Sequence, residues 1–399
     1  MLSYVIKISI LKKPSFVLIF LLFNLFNSQA QDSCNLKVSL ITCGPGEELY
    51  TTFGHTAIRV QIKETGEDIA FNYGTFEFGP DFYSKFTKGT LLYYLSEQDF
   101  RQFLSDYKED NRYVKEQVLD ITCSQKEQLF NALLKNAEPQ YRYYKYHFLF
   151  DNCTTRAKNM IAANVGIIRF ASILPQHIPT FRKLIHGYLD SGKEYWSKFG
   201  IDLLLGANVD RKVTNEEAMF LPENLMAGID KASVDGNKIS LPEQTLLASV
   251  PAKQSLQITP LLVFWFLFIV VVALSFNSSA AIRKVLIVFD FLFFLITGIA
   301  GALMLVLWII RDDEVCRMNF NIIWAMPFNL IMAFMIHKKS QWVKTYFRYL
   351  FLIEILFLIV SPFLPQQFNY TILPIVFLIM YRSWLLSQPN QYGRKNSLT

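Results

Sequence analysis

The sequence predicts an α+β exported domain followed by an all-α transmembrane bundle of five helices. Three observations carry that prediction: an N-terminal export signal, a polar middle with both strand and helix periodicity, and five apolar stretches toward the C-terminus. The chain has 399 residues, 52% of them hydrophobic, with a mean hydropathy of +0.24, which is too apolar for a wholly water-soluble protein. The formal net charge of +6 belongs to the flanks, because residues 31–258 carry 25 Lys and Arg against 28 Asp and Glu, a net of −3. No basic stripe there is dense enough to neutralise a row of phosphates, so nucleic acid is excluded as a partner.

The elements follow in chain order. Lys7, Lys12 and Lys13 precede the apolar run Phe16 to Phe26, and Ser28-Gln29-Ala30 offers small residues at a cleavage site, so residues 1–30 read as a signal peptide. Residues 31–229 form the exported domain. Val38 and Leu40 alternate with polar neighbours, and Ile58, Val60 and Ile62 alternate with His55, Arg59 and Gln61, the period of half-buried strands. Further strands fit Ile69 to Tyr73 and Val114 to Ile121. Helices are expected over Ser96 to Tyr107, where Phe100, Phe103, Leu104 and Tyr107 make one stripe, and after a capping box at Ser124-Gln125-Lys126-Glu127. Beyond Gly166 the pattern is mostly amphipathic helix, and residues 230–258 read as a linker.

Residues 259–387 hold the five expected spans: Pro260 to Phe276, Val285 to Ile310, Phe320 to Ile336, Tyr346 to Phe363 and Tyr370 to Leu386. Each is about long enough to cross a bilayer. Basic residues gather in alternate loops, at Arg283 and Lys284, at Lys338, Lys339 and Lys344, and at Arg382, Arg394 and Lys395. That asymmetry places residue 258 outside and residues 388–399 in a cytoplasmic tail. Asp290, Arg348 and Glu354 fall within spans and are expected to face the bundle interior.

Cys34, Cys43, Cys123 and Cys153 precede the spans without metal-ligand spacing, and neither a metal nor a cofactor is expected. One of them is a working thiol, which leaves room for at most one disulfide among the rest. The run Asp151-Asn152-Cys153-Thr154-Thr155-Arg156 opens a helical pattern that stops at Gly166, so Asp151 or Asn152 is the cap and Cys153 occupies the first turn. Unsatisfied amides and the positive dipole end there favour a thiolate. His55 is the expected base: it starts a strand and projects away from the face of Ile58, Val60 and Ile62. His147 is embedded in an aromatic run, and His177, His186 and His337 have no reactive neighbour in sequence. Asn72 is the preferred group to orient the imidazole. Tyr73 competes for that role or for stabilising an oxyanion, with Asn152 as a further support. Glu48, Thr52, Arg59 and Arg156 are candidate substrate-binding groups, and Phe53, Phe71, Phe76 and Phe148 are candidates for an acyl groove.

A His-bearing strand before a Cys-bearing helix reverses the order in papain-like peptidases and resembles the circularly permuted branch that includes the lecithin:retinol acyltransferase family. The combination of Gly44-Pro45-Gly46-Glu47, Phe53-Gly54-His55-Thr56-Ala57, Phe71-Asn72-Tyr73-Gly74-Thr75-Phe76 and Asp151-Asn152-Cys153-Thr154-Thr155-Arg156, followed by five spans, resembles the lipoprotein N-acyltransferase family called Lnb. The resemblance implies a permuted papain-like fold in the inner membrane. It also implies that Cys153 takes an acyl chain from a phospholipid donor as a thioester and passes it to the α-amine of a diacylated lipoprotein acceptor. Two rivals remain from the residues themselves: a membrane-anchored thiol hydrolase, cutting cell-wall peptides or phospholipids, and a non-enzymatic binding module on a membrane bundle.

Overall fold

A computed structural model describes residues 34–250, 257–338 and 340–388. The signal peptide assigned to residues 1–30 and the tail beyond Gln388 lie outside the described residues. The polar region begins with β1 (Leu36–Cys43), β2 (His55–Ile62), β3 (Asp68–Thr75), α1 (Phe82–Lys88), β4 (Leu92–Asp99), α2 (Phe100–Glu109), β5 (Val114–Val118), α3 (Cys123–Ala137), β6 (Tyr143–Lys145) and α4 (Cys153–Val165). It continues through α5 (Phe181–Ser191), α6 (Tyr195–Leu204), α7 (Asn215–Ala218), α8 (Pro222–Asp230), a small hairpin of β7 (Ser233–Val234) with β8 (Asn237–Lys238), and β9 (Gln244–Leu247). Seven of these strands make one antiparallel sheet in the order β6-β4-β3-β2-β1-β5-β9. The segment 230–258, expected as a linker, therefore adds a hairpin and an edge strand to the domain.

Alternation along each strand sorts side chains to two faces. Leu40, Ile58, Val60, Phe71 and Tyr73 pack against Leu129 and Leu133 of α3 and Ala157 and Ile161 of α4. Ile41, Cys43, Ala57 and Ala70 turn the other way and meet Phe100 and Phe103 of α2. Each fully buried Leu, Ile or Phe here contributes about 1.5–3 kcal/mol of transfer free energy. A disulfide between Cys34 and Cys123, with Cα atoms 5.4 Å apart, staples the start of β1 to the first residue of α3, while Cys43, Cys153 and Cys316 are free.

Two boundaries differ from the sequence reading. Ser96 to Asp99 belong to β4, and the helix starts only at Phe100, because the Asp99 carboxylate accepts from the amides of Arg101 (2.9 Å) and Gln102 (3.1 Å). The capping box of α3 is formed by Thr122 and Gln125, two residues upstream of the expected one.

Among the described residues the membrane region contains four long helices, α9 (Pro260–Ser275), α10 (Ala280–Ile310), α12 (Gln341–Val360) and α13 (Ile372–Ser387), with the short α11 (Asn329–Ala333) between the second and third. Among the described residues, Ala280–Ile310 and Gln341–Phe363 are long and apolar enough to cross a membrane, and the two flanking helices are shorter. The third expected span is not one helix. It breaks into a 3-10 turn at Phe320–Ile323, a turn at Pro327 and α11. Gly298 and Gly301 explain how such an irregular strand of backbone is held: a Cβ at either would collide with the backbone of Leu330 or Ala325, so α10 admits this segment at direct backbone contact. Arg382, counted above among loop charges, is instead buried and grips Asp290 through Nε (2.6 Å) and Nη2 (2.7 Å). Glu354 is buried as expected, whereas Arg348 is exposed on the outer surface of α12.

A buried polar cluster joins the two regions. Arg182, fully buried on α5, donates to Asp202 (2.8 Å), to Asp210 (2.7 and 3.0 Å) and to the carbonyls of Leu205 and Gly206. His186 meets the same Asp202 at 2.8 Å, a partner distant in sequence. From the membrane side, Asn369 donates to the Asp202 carboxylate (2.8 Å), the Gln367 amide to Asp210 (3.1 Å), and Asn321 and Asn319 to the carbonyls of Asp202 and Leu203. Burial opposes the charge of Asp202, but His186 and Arg182 outweigh it and hold the carboxyl below its ordinary range. Replacing Arg182 by Met takes the guanidinium from both carboxylates, leaving Asp202 to His186 and Asp210 without a cation among the described residues, and we expect a loss of about 3–5 kcal/mol, the usual cost of breaking a buried pair from one side. Thermal unfolding of the detergent-solubilised Arg182→Met protein checks this; an unchanged midpoint would remove the cluster's structural role.

Candidate active site

The helix α4 begins where the sheet ends. Asn152 caps it, its side-chain oxygen accepting from the Thr155 amide (2.8 Å) and its nitrogen donating to the carbonyls of Phe148 (2.8 Å) and Phe220 (2.9 Å). Its polar groups are thus spent on holding the turn. Cys153 is the first helical residue and is half-buried. Neither its amide nor that of Thr154 has a hydrogen-bond acceptor among the described residues, as expected of a helix start. Gly74, at φ 91°, ends β3 against the same spot: a Cβ there would sit 3.4 Å from the Cys153 Cβ. A bulge between Asn72 and Thr75 lets the strand turn at this point.

His55, the first residue of β2, lines the same cavity as Cys153 and acts electrostatically on its thiol. Its Nε2 lies 3.3 Å from the Asn72 side-chain oxygen, which only accepts, so in the neutral ring Nε2 carries the hydrogen and Nδ1 keeps a lone pair for the thiol proton. The Asn72 amide nitrogen in turn points at Gln98 (3.5 Å). Burial raises the Cys153 pKa, but the positive charge and hydrogen bond of His55, the Thr56 amide and the Thr154 hydroxyl more than offset it, lowering the thiol from 9.0 to about 7. Cys43, opposite His55 in the β1–β2 pairing, makes the contrast: burial pushes its thiol up to about 12 despite Arg112, so it stays protonated.

These groups open into a cavity of about 940 Å³. Phe53, Phe76, Phe82, Phe86 and Phe148 line much of it, and Arg311, Asp313 and Val315, from the loop that follows α10, close one side. That loop is held in place by Arg311, which ion-pairs with Asp313 and donates to the Phe86 carbonyl (3.2 Å), and by the Asp312 amide, which donates to Lys88 (3.1 Å). Tyr50 and Phe78 stand at the lip, 71% and 75% exposed, so the apolar space is open along its aromatic edge. A thiol poised near neutrality, a base with an oriented ring, two free amides and an apolar trough equip the site for acyl transfer through sulfur.

The other expected site residues are engaged with neighbours of their own. Tyr73 touches the cavity wall, but its hydroxyl donates to Asn136 (2.7 Å) on the α3 side. Arg59 is bound by Asp68 and Glu116 and stacks on Phe100, and Arg156 is bound by Asp151 and stacks on Tyr144. Glu48 is an exposed loop residue whose carbonyl caps a turn, and Thr52 is buried with its hydroxyl on that carbonyl; none of these four lines the cavity. Phe71 is in the core. Sequence reasoning missed the Arg311–Val315 loop and the aromatic run of α1 because both reach the site only through tertiary docking. His147 uses its Nδ1 to accept from the Leu149 and Phe150 amides and is structural.

Because only the thiolate alkylates, the rate of Cys153 modification by iodoacetamide should rise with pH around a midpoint near 7. In His55→Ala the burial penalty loses its main opponent, and the midpoint should move up toward or beyond 9.0, the ordinary thiol value. Peptide mass spectrometry of the Cys153 fragment across a pH series reads both; identical midpoints in the two proteins would separate His55 from the thiol.

Family models match the chain in two places, one described as the Lnb N-terminal periplasmic domain, over residues 25–187, and one as the Lnb transmembrane domain, over residues 252–390. No curated protein and no solved structure matches the chain. The two matched segments together take in well over half of the sequence, with strands β1 to β6 in the first and the apolar helices in the second. This is a membrane protein with a periplasmic domain ahead of its transmembrane domain, and the chain belongs to the Lnb family.

Proposed function

We propose that the protein is a lipoprotein N-acyltransferase that carries a fatty acyl chain on Cys153 from a phospholipid to the α-amine of a diacylglyceryl-cysteine lipoprotein. The observation that carries this reading is the placement of the near-neutral thiol inside an apolar cavity walled partly by a loop of the membrane region. The donor ester and both lipid substrates live in or beside the bilayer, and tethering the thiol there raises their effective concentration.

In the first half-reaction the Cys153 proton passes to His55 Nδ1 and the thiolate attacks the ester carbonyl carbon. The free amides of Cys153 and Thr154 donate to the developing oxyanion. The carbon–oxygen bond then breaks, and the lysophospholipid oxygen leaves with the proton from His55. In the second, the acceptor amine attacks the thioester, His55 takes the amine proton, and the sulfur leaves to return to its starting state. Asn72 holds the imidazole orientation throughout. An aromatic cavity that admits acyl chains and little water protects the thioester from hydrolysis, which separates a transferase from a thiol hydrolase with the same Cys-His pair. The periplasmic domain sits outside the inner membrane in this reading, with the C-terminus cytoplasmic. No metal or cofactor enters the chemistry.

Incubating the purified protein with phospholipid alone should add one acyl mass to the Cys153 peptide, removable by hydroxylamine and absent from Cys153→Ala, with one lysophospholipid released per chain. Adding a diacylated lipopeptide should discharge it onto the α-amine. Free fatty acid without an adduct would make the protein a lipid hydrolase instead.

A further inference from the structure

One cation on the cavity wall is firmly built in, yet its outer nitrogens make no hydrogen bond among the described residues. Arg112 follows the turn that ends α2 and is 6% exposed. Its Nε donates to the Gly44 carbonyl (2.9 Å), its guanidinium stacks 4.4 Å over the Tyr107 ring, and its backbone amide is tied to Tyr107 (2.9 Å). Gly46 makes room for its stem, since a Cβ there would lie 3.0 Å from the Arg112 Cδ. With the stem and Nε fixed, the two outer nitrogens point in a set direction, and neither makes a hydrogen bond among the described residues. The nearest carboxylate, Asp110, stands at 3.8 Å, beyond hydrogen-bond reach, and is 61% exposed to screening water. Asp106, also on the wall, has its oxygens taken by Gln98 and Gln102, at 2.7 Å each.

The other arginine of the cavity differs. Arg311 is neutralised by Asp313 and saturated by the Phe86 and Thr87 carbonyls. The stem and Nε of Arg112 are buried and fixed while its outer nitrogens stay open to the cavity, where an anion can complete them. Two free parallel N–H groups match an anion with two oxygens on one atom, which a carboxylate or a phosphate offers. Along the same cavity run the phenylalanines that suit acyl chains, and Tyr107, on which Arg112 stacks, lines it together with Cys153.

We propose that Arg112 is the phosphate-binding residue for the donor, reading the phosphodiester of a glycerophospholipid and so setting which ester carbonyl lies at Cys153. This rests on the acyl-transfer reading above and adds the feature that selects a phospholipid over other acyl esters. Arg112 is a specificity residue here and takes no part in bond making.

The test measures Cys153 acylation in the full-length protein from two donors, a phospholipid in mixed micelles and a phosphate-free p-nitrophenyl fatty ester, for wild type, Arg112→Lys and Arg112→Gln. For Arg112→Gln we expect the phospholipid KM to rise by roughly ten- to a hundredfold, the scale of lost hydrogen bonds to a charged group, while acylation from the phosphate-free ester changes far less. Arg112→Lys, which keeps the charge without the fork, should fall between. Equal losses on both donors would make Arg112 structural, and no loss on the phospholipid would remove it from the site; either overturns the proposal. If inorganic phosphate competes as well as a non-cleavable ether phospholipid, the site belongs to a soluble phosphate ester and the lipid assignment falls. A wild-type protein acylated by neither donor would overturn the acyl-transfer reading itself, whereas wild-type use of both with an indifferent Arg112→Gln defeats only this inference.

Discussion

Everything at the site depends on how the periplasmic region is clamped to the membrane region. The clamp is the buried cluster around Arg182, Asp202 and Asp210, completed from the membrane side by Asn319, Asn321, Gln367 and Asn369. Removing such charges from water is expensive, and the cluster is tolerated only because every member finds several partners. Gly206 shows how close the fit is: its amide donates to Val315 (2.9 Å), and a side chain there would strike the backbone of Arg317. The loop from Arg311 to Asn321 is therefore pinned at both ends, by α1 at Arg311 and Asp312 and by α6 at Asn319 and Asn321. Its fixed course is what closes the cavity beside Cys153.

Within that frame the reactivity of the thiol is a contest between two effects of one fold. Burial disfavours the thiolate at Cys43 and Cys153 alike, and at Cys43 it wins. At Cys153 His55 above all, with the Thr56 amide and the Thr154 hydroxyl, reverses the outcome. The difference is positional. Cys43 ends β1 and turns onto the face packed by Phe100 and Phe103, whereas Cys153 lies on the other face, where β3 bulges and α4 starts, so that ring, amide and hydroxyl act on one sulfur.

Features set by local pattern were legible in the sequence. The alternation of Ile58, Val60 and Ile62 gave β2 and the face of His55; Asn152 before a helical repeat gave the cap and the first-turn cysteine; Asn72 on the next strand fell within reach of the ring. Features set by partners distant in sequence were not. Arg59 and Arg156 look free in sequence, yet Glu116, from β5, and Asp151, five residues away, consume them. Tyr73 sits next to Asn72, but alternation sends it to the opposite face, a distinction the period itself contained. The third apolar stretch passes any hydropathy test for a span, and only its packing on Gly298 and Gly301 reveals the break around Pro327. Nothing local in the sequence of the Arg311–Val315 loop announces that it walls a cavity.

The most direct measurement is a structure of the Cys153 acyl-enzyme trapped in a lipid nanodisc. The acyl chain should leave the sulfur and run through the aromatic cavity among Phe53, Phe76, Phe82 and Phe148, with the Arg311–Val315 loop against it and the thioester oxygen facing the Cys153 and Thr154 amides. A chain that lies along the surface, or enters the membrane bundle away from that loop, would contradict the assignment of the cavity to the acyl group.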